Sequence, residues 1–135
     1  MTDSTGAPRP LLAPVRATFR AVAATVVPAT ASLDDAGWAR LESIVEQALA
    51  ERPARMQRQL IVFIRAIDAL ALARHGRRLR ALPLDRRVRL LERLQDAPLL
   101  LLRRGFWGLR TLIYMGWYAQ RGTADRIGYR GGIHG

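Results

Sequence analysis

Very few side chains in this sequence could carry out catalysis or bind a metal. The 135-residue chain has no Cys, which excludes disulfides and thiol chemistry, and its two histidines, His75 and His134, lie far apart. Neither histidine has neighbours at the ligand spacing of a zinc site. No Ser–His–Asp set, carboxylate pair or phosphate-binding loop is present at a usable spacing. We therefore expect no catalytic residue, cofactor-binding residue or metal ligand in this chain.

Asp68 lies within an apolar helical pattern, where an acidic residue is unusual and must be explained. Such a carboxylate could act as a catalytic acid or base, or it could form a structural salt bridge. Arg65 lies one turn earlier on the same helix, and an Arg from a neighbouring helix could also reach it. We favour the structural salt bridge and leave both partners open.

Aromatic residues and arginines are concentrated in residues 98–120. This stretch contains five of the nine aromatic residues of the chain. Tyr, Trp and Arg dominate the hot spots of protein interfaces, which favours a partner-binding face. Each aromatic could instead belong to the core. The predicted partner-binding residues, including two from the C-terminal tail, are Arg103, Arg104, Trp107, Arg110, Tyr114, Trp117, Tyr118, Ile127 and Tyr129.

The spacing of apolar residues predicts that residues 98–120 form one long helix. Asp96 can cap its first turn, Pro98 suits that turn, and Gly122 is a stop signal. Its main apolar stripe consists of Leu99, Leu102, Phe106, Leu109, Ile113, Gly116 and Trp117. Much of the remaining surface is apolar too, so the helix either lies at the centre of a bundle or presents one side to a partner.

Four further helices are predicted before the long one. They span residues 15–27, 32–51, 54–74 and 85–95. Ser32 and Asp35 resemble a capping box at the start of the second helix. The polar side of that helix contains Arg40, Glu42, Glu46 and Gln47. The third helix is apolar over much of its surface, so we expect it to be central, and His75-Gly76 ends it.

The predicted fold is a single-domain, all-α bundle of about five helices with an irregular C-terminal tail. We expect a disordered N-terminus at residues 1–10, a helical domain at 11–121 and a glycine-rich tail at 122–135. Ile127, Tyr129 and Ile133 should anchor this tail on the bundle or on a partner, because burying a large apolar side chain is worth about 1.5–3 kcal/mol.

The net charge of +11 comes from arginines alone, since the chain has no Lys. Residues 74–104 contain ten Arg and three acidic residues. This segment could bind phosphates, or it could be a solvated face with local pairs such as Arg89–Glu92. We expect no nucleic-acid binding, since no polar recognition helix is visible. We also expect no transmembrane helix, because an Arg near the bilayer centre costs about 2.5–3.5 kcal/mol.

The C-terminal region resembles the gluconate 2-dehydrogenase subunit 3 family. The matching features are Thr111-Leu112, Gly116-Trp117-Tyr118, Gly122, Gly128-Tyr129-Arg130-Gly131, the earlier Val26-Val27-Pro28 and Asp34-Asp35 steps, and the leucine-anchored, arginine-bearing block at 80–95. Arg130 stands where the family usually has Pro. The resemblance covers roughly residues 12–131.

This resemblance implies a small, non-catalytic accessory subunit of an FAD-dependent alcohol or sugar oxidoreductase. FAD and the catalytic His then belong to a separate large subunit of the glucose–methanol–choline type, which the small subunit binds as a heterodimer and helps to assemble. A cytochrome or another electron acceptor could also join the complex. The alternative, suggested by the charge, is a basic helical module that binds nucleic acid or anionic membrane.

The N-terminal residues resemble a signal peptide only weakly. Arg16 and Arg20 precede an apolar run that is short and that Pro28 interrupts, and no twin-arginine pair precedes it. We therefore expect a cytoplasmic protein, or one exported together with its partner.

Overall fold

The computed structural model describes the backbone of residues 10–130 and the side chains of residues 10–100 and 102–122. Within these residues the chain forms five α-helices and no strand, which confirms the all-α prediction. The helices are α1 (Arg16–Val26), α2 (Asp35–Ala50), α3 (Ala54–His75), α4 (Leu84–Gln95) and α5 (Leu100–Arg130). Short 3₁₀ turns occupy Ala13–Val15, Pro28–Ser32 and Leu79–Ala81.

All five helices contribute to one apolar core. Its fully buried side chains include Phe19, Val22, Leu41, Val45, Ile64, Ile67, Leu90, Leu109 and Ile113. The long helix α5 packs against each of the other four helices, most extensively against α2. This helix therefore lies at the centre of the bundle, which is one of the two alternatives left open for it, and the rest of the bundle fixes which of its faces points outward.

The N-cap of α2 differs from the prediction. Ser32 lies in the preceding 3₁₀ turn, where its hydroxyl donates to the carbonyl of Ala29 at 2.8 Å. Asp34 caps the helix instead, because its carboxylate accepts the N–H of Gly37 at 2.8 Å. A carboxylate at this position also interacts favourably with the positive end of the helix dipole.

The expectation that α3 is a central helix is wrong. Phe63, Ile64 and Ile67 face the core, but Val62 on the opposite side is 64% exposed. No helix covers that side within the described residues, so α3 lies at the edge of the bundle. Its C-terminus follows the prediction: Gly76 adopts a left-handed conformation (φ 71°), and its N–H bonds to the carbonyl of Leu72 at 2.9 Å.

The long helix α5 continues past its predicted stop. It begins at Leu100 and runs through Gly122 to Arg130, where the sequence predicted an irregular tail from residue 122 onward. A glycine inside a helix costs only about 1 kcal/mol relative to Ala, and no Pro follows to break the helix. Residues 131–135, with Ile133, lie outside the described residues.

Two glycines of α5 should respond to substitution by Ala in opposite directions. A Cβ on Gly105 would lie 2.8 Å from Cδ1 of Phe63, whereas a Cβ on Gly108 would meet no atom within 4 Å. Gly108→Ala should raise the free energy of unfolding by about 1 kcal/mol through helix propensity. Gly105→Ala should lower it by about 1 kcal/mol, because overpacking outweighs that gain. Chemical denaturation of both variants checks the two signs; a shared sign would contradict the packing.

Candidate partner-binding face on the fifth helix

The core contacts of α5 determine which of its side chains face outward. Phe106, Leu109 and Ile113 are buried against the bundle. Residues at the opposite helical positions must therefore project away from it. Trp107 is 50% exposed and Tyr118 is 62% exposed. Large aromatic side chains are unfavourable in water, and a group of exposed ones is typical of interaction surfaces.

Four side chains on this face form a continuous row, which we name the aromatic–arginine ridge: Trp107, Arg110, Tyr114 and Tyr118. The guanidinium of Arg110 lies 5.1 Å from the centroid of the Trp107 ring and 5.1 Å from that of Tyr114. The rings of Tyr114 and Tyr118 stack with centroids 6.4 Å apart and an interplanar angle of 18°. Each member of the ridge thus contacts the next, which restricts its rotamers.

Arg103 and Arg104 extend the ridge toward the start of α5, and both are exposed. No carboxylate of the described residues lies within 4.0 Å of Arg103, Arg104 or Arg110. Leu99, Leu100 and Met115 add exposed apolar surface around them. The face therefore combines positive charge without ion-pair partners and apolar area, and this combination suits binding rather than catalysis.

The acidic residue singled out as a possible catalyst has a structural role. The carboxylate of Asp68 accepts the N–H of Leu79 at 2.9 Å and an N–H of Arg78 at 3.2 Å. This contact ties α3 to the turn before α4 and confirms the predicted salt bridge, but its partner is Arg78 of that turn rather than Arg65 or an arginine of a neighbouring helix. Within the described part of the chain, no group of His, Cys, Asp or Glu could hold a metal ion.

A comparison with protein families identifies the chain. The sequence model of gluconate 2-dehydrogenase subunit 3 matches residues 13–131. The chain belongs to this family. No curated protein and no solved structure matches it significantly. Membership in the gluconate 2-dehydrogenase subunit 3 family is consistent with a subunit of a dehydrogenase, and a subunit family implies a partner dehydrogenase chain.

In this family member, the predicted partner-binding residues do not all occupy one face. Arg103, Arg104, Trp107 and Tyr118 are exposed, and Arg110 and Tyr114 are half-buried members of the same ridge. Trp117 packs against the core cluster on the flank of α5. The side chains of Ile127 and Tyr129 lie outside the described residues.

Three exposed apolar residues near the ridge were not among the predicted site residues. The sequence placed Leu99 on the buried stripe, but its side chain is exposed because it precedes the first turn of α5. Leu100 and Met115 are exposed as well. Apolar residues on most sides of the helix already indicated that one side could remain uncovered, but the sequence did not show which residues these would be. None of the helices in the described part of the chain is long and apolar enough to cross a membrane.

Proposed function

We propose that this chain is a non-catalytic accessory subunit that binds and stabilises a large, FAD-containing flavoprotein of the glucose–methanol–choline type. The aromatic–arginine ridge of α5 carries this proposal, because a dehydrogenase subunit needs a face for its partner and the ridge has the composition of one. Flavin binding and catalysis then belong to the large subunit, with which this chain forms a heterodimer. Ile127 and Tyr129 would extend the contact surface.

The restricted geometry of the ridge favours tight binding. Tyr and Trp lose little conformational entropy on binding, since each has only two side-chain torsions. Arg110 is already held between the rings of Trp107 and Tyr114, so its long side chain has less freedom left to lose. A partner that covers this row would gain apolar contact area without first having to order it.

Mass action explains how such a subunit would stabilise its partner. A subunit that binds only the folded flavoprotein stabilises it by about 2.7 kcal/mol when its concentration is 100 times the dissociation constant. Folding and flavin loading of the large subunit are linked, so this stabilisation would also raise its flavin content. An assembly role of this kind needs no catalytic residue in the small subunit.

The charge pattern of α4 gives less support to nucleic acid or anionic membrane as the partner. Arg86, Arg89 and Arg93 share one exposed stripe of α4. The neighbouring stripe carries Asp85, Glu92 and Asp96, and the carboxylate of Asp85 pairs with Arg89 at 3.3 Å. Alternating charges of this kind are typical of a solvated helix face rather than of a phosphate-binding surface.

Co-expression tests the proposal. The chain and the large flavoprotein, produced together with an affinity tag on the small chain only, should co-purify as a yellow complex with one FAD per heterodimer. The large subunit produced alone should contain less flavin and denature at a lower temperature. The small chain produced alone should show no flavin absorbance. Separate elution of the two chains, or stoichiometric flavin on the small chain by itself, would refute the accessory role.

A further inference from the structure

The first two turns of α5 present a compact patch of two apolar side chains between two arginines. Arg103 and Arg104 follow Leu100 by three and four residues, and Trp107 follows them at the same spacings. Residues three or four apart are neighbours on a helix surface, so each arginine lies next to both Leu100 and Trp107. All four are exposed.

Within the described residues, no acidic side chain pairs with the arginines of this patch. Residues 97–122 contain four arginines and no acidic residue. Neither Arg103 nor Arg104 has an ion-pair partner among the described residues. On α4, by contrast, acidic residues lie beside the arginines, as described above. At this patch, two exposed arginines without ion-pair partners in the described residues flank exposed apolar area.

We infer that the region of the flavoprotein that receives this patch is an apolar groove with carboxylates on both rims. This inference rests on the proposed function. Leu100 and Trp107 would fill the groove, and Arg103 and Arg104 would each meet a carboxylate at its edge. The planar guanidinium forms two parallel hydrogen bonds with a carboxylate, so the arginines also fix the register of α5 along the groove. Charges at the rim of an interface raise the association rate more than they lower the dissociation rate.

Charge reversal tests the acidic rims against a matched control. Arg103→Glu/Arg104→Glu and Arg86→Glu/Arg93→Glu change the net charge by the same amount, and all four positions are exposed and without ion-pair partners in the described residues. Association with the immobilised flavoprotein is measured by biolayer interferometry over a range of salt concentrations. The α5 variant should associate about tenfold more slowly at low salt and lose most of its salt dependence, whereas the α4 variant should change less than about twofold.

Two further variants separate charge from geometry and from folding. Arg103→Lys/Arg104→Lys keeps the charge, so its association rate should stay near that of the wild type while its dissociation accelerates several-fold through loss of bidentate contacts. Arg103→Ala/Arg104→Ala should slow association by about threefold, and it supports the same conclusion if the Glu variant does not fold. Circular dichroism checks the helical content of each variant.

The possible failures are distinguishable. If association slows equally in the α4 and α5 variants, or in neither, the inference of acidic rims is overturned. The accessory role is then still intact. A wild-type chain that does not bind the flavoprotein at any salt concentration would refute the accessory role itself. Loss of binding to phosphatidylglycerol vesicles in the α5 variant, with unchanged binding to the flavoprotein, would assign the arginines to a lipid surface and overturn the inference.

Discussion

Replacing Trp107 with Ala is expected to weaken binding of the large flavoprotein by about 30- to 700-fold, since truncation of a hot-spot aromatic costs about 2–4 kcal/mol. Trp107 is half exposed, so nothing in the bundle depends on its outer ring surface. Its ring is also one of the two aromatic rings that contact the guanidinium of Arg110. Its removal would leave Arg110 held by Tyr114 alone and add to the loss.

Matched substitutions show whether the loss of affinity is specific to the ridge. Val62→Ala removes an exposed apolar side chain from α3, outside the proposed interface, and should change the affinity less than about twofold. Trp107→Phe keeps an aromatic ring and should retain most of the affinity. Isothermal titration calorimetry gives the dissociation constants, and circular dichroism gives the helical content. An effect of Trp107→Ala no larger than that of Val62→Ala would exclude the ridge from the interface.

The helices could be predicted from the sequence because their signals are local. An apolar residue every three or four positions requires only that one side of the helix be buried. Pro28 and Pro53 separate the early helices, and Gly76 ends α3 in a left-handed conformation that other residues rarely adopt. Each of these effects acts within a few residues, so no knowledge of the tertiary arrangement was needed.

Which apolar side is covered could not be predicted in the same way. α3 and α5 are both apolar over much of their surface, but of these two helices only α5 packs extensively against α2 and α4 in the described residues. A chain of 135 residues has too few helices to cover all of the apolar surface of both α3 and α5. Val62 on α3 is exposed for this reason. The ridge itself was predicted only as a set of residue types, because a stacked row requires the actual rotamers.

The burial of the charged residue Glu42 could not be predicted from the sequence either. The sequence placed it on the polar side of α2, but it is only 7% exposed. Two arginines of α1 reach it: Nε of Arg16 lies 3.0 Å from one carboxylate oxygen, and Nε of Arg20 donates to the other. The guanidinium of Arg20 also lies 5.0 Å from the centroid of the Trp38 ring. A carboxylate becomes tolerable in this position only through donors that come from a different helix.

Glu42→Ala should therefore lower the free energy of unfolding by about 2–4 kcal/mol. A hydrogen bond to a charged group is worth about 1.5–3 kcal/mol, and Glu42 accepts one from Arg20 and forms a further ion pair with Arg16. The arginine side chains are 44% and 37% exposed, so water partly replaces the lost carboxylate and limits the loss of stability. Urea denaturation of the purified variant, followed by far-ultraviolet circular dichroism, measures the change.

Asp85→Ala provides the matched control for Glu42→Ala. It removes a carboxylate that also pairs with an arginine, but the two side chains of that pair are 73% and 63% exposed. Exposed pairs within one helix contribute about 0.3–0.5 kcal/mol, so this variant should unfold almost as the wild type does. A similar small loss for both variants would mean that Glu42 is solvated in solution. The junction between α1 and α2 would then depend on apolar contacts such as those of Phe19 and Leu41 rather than on the ion pairs.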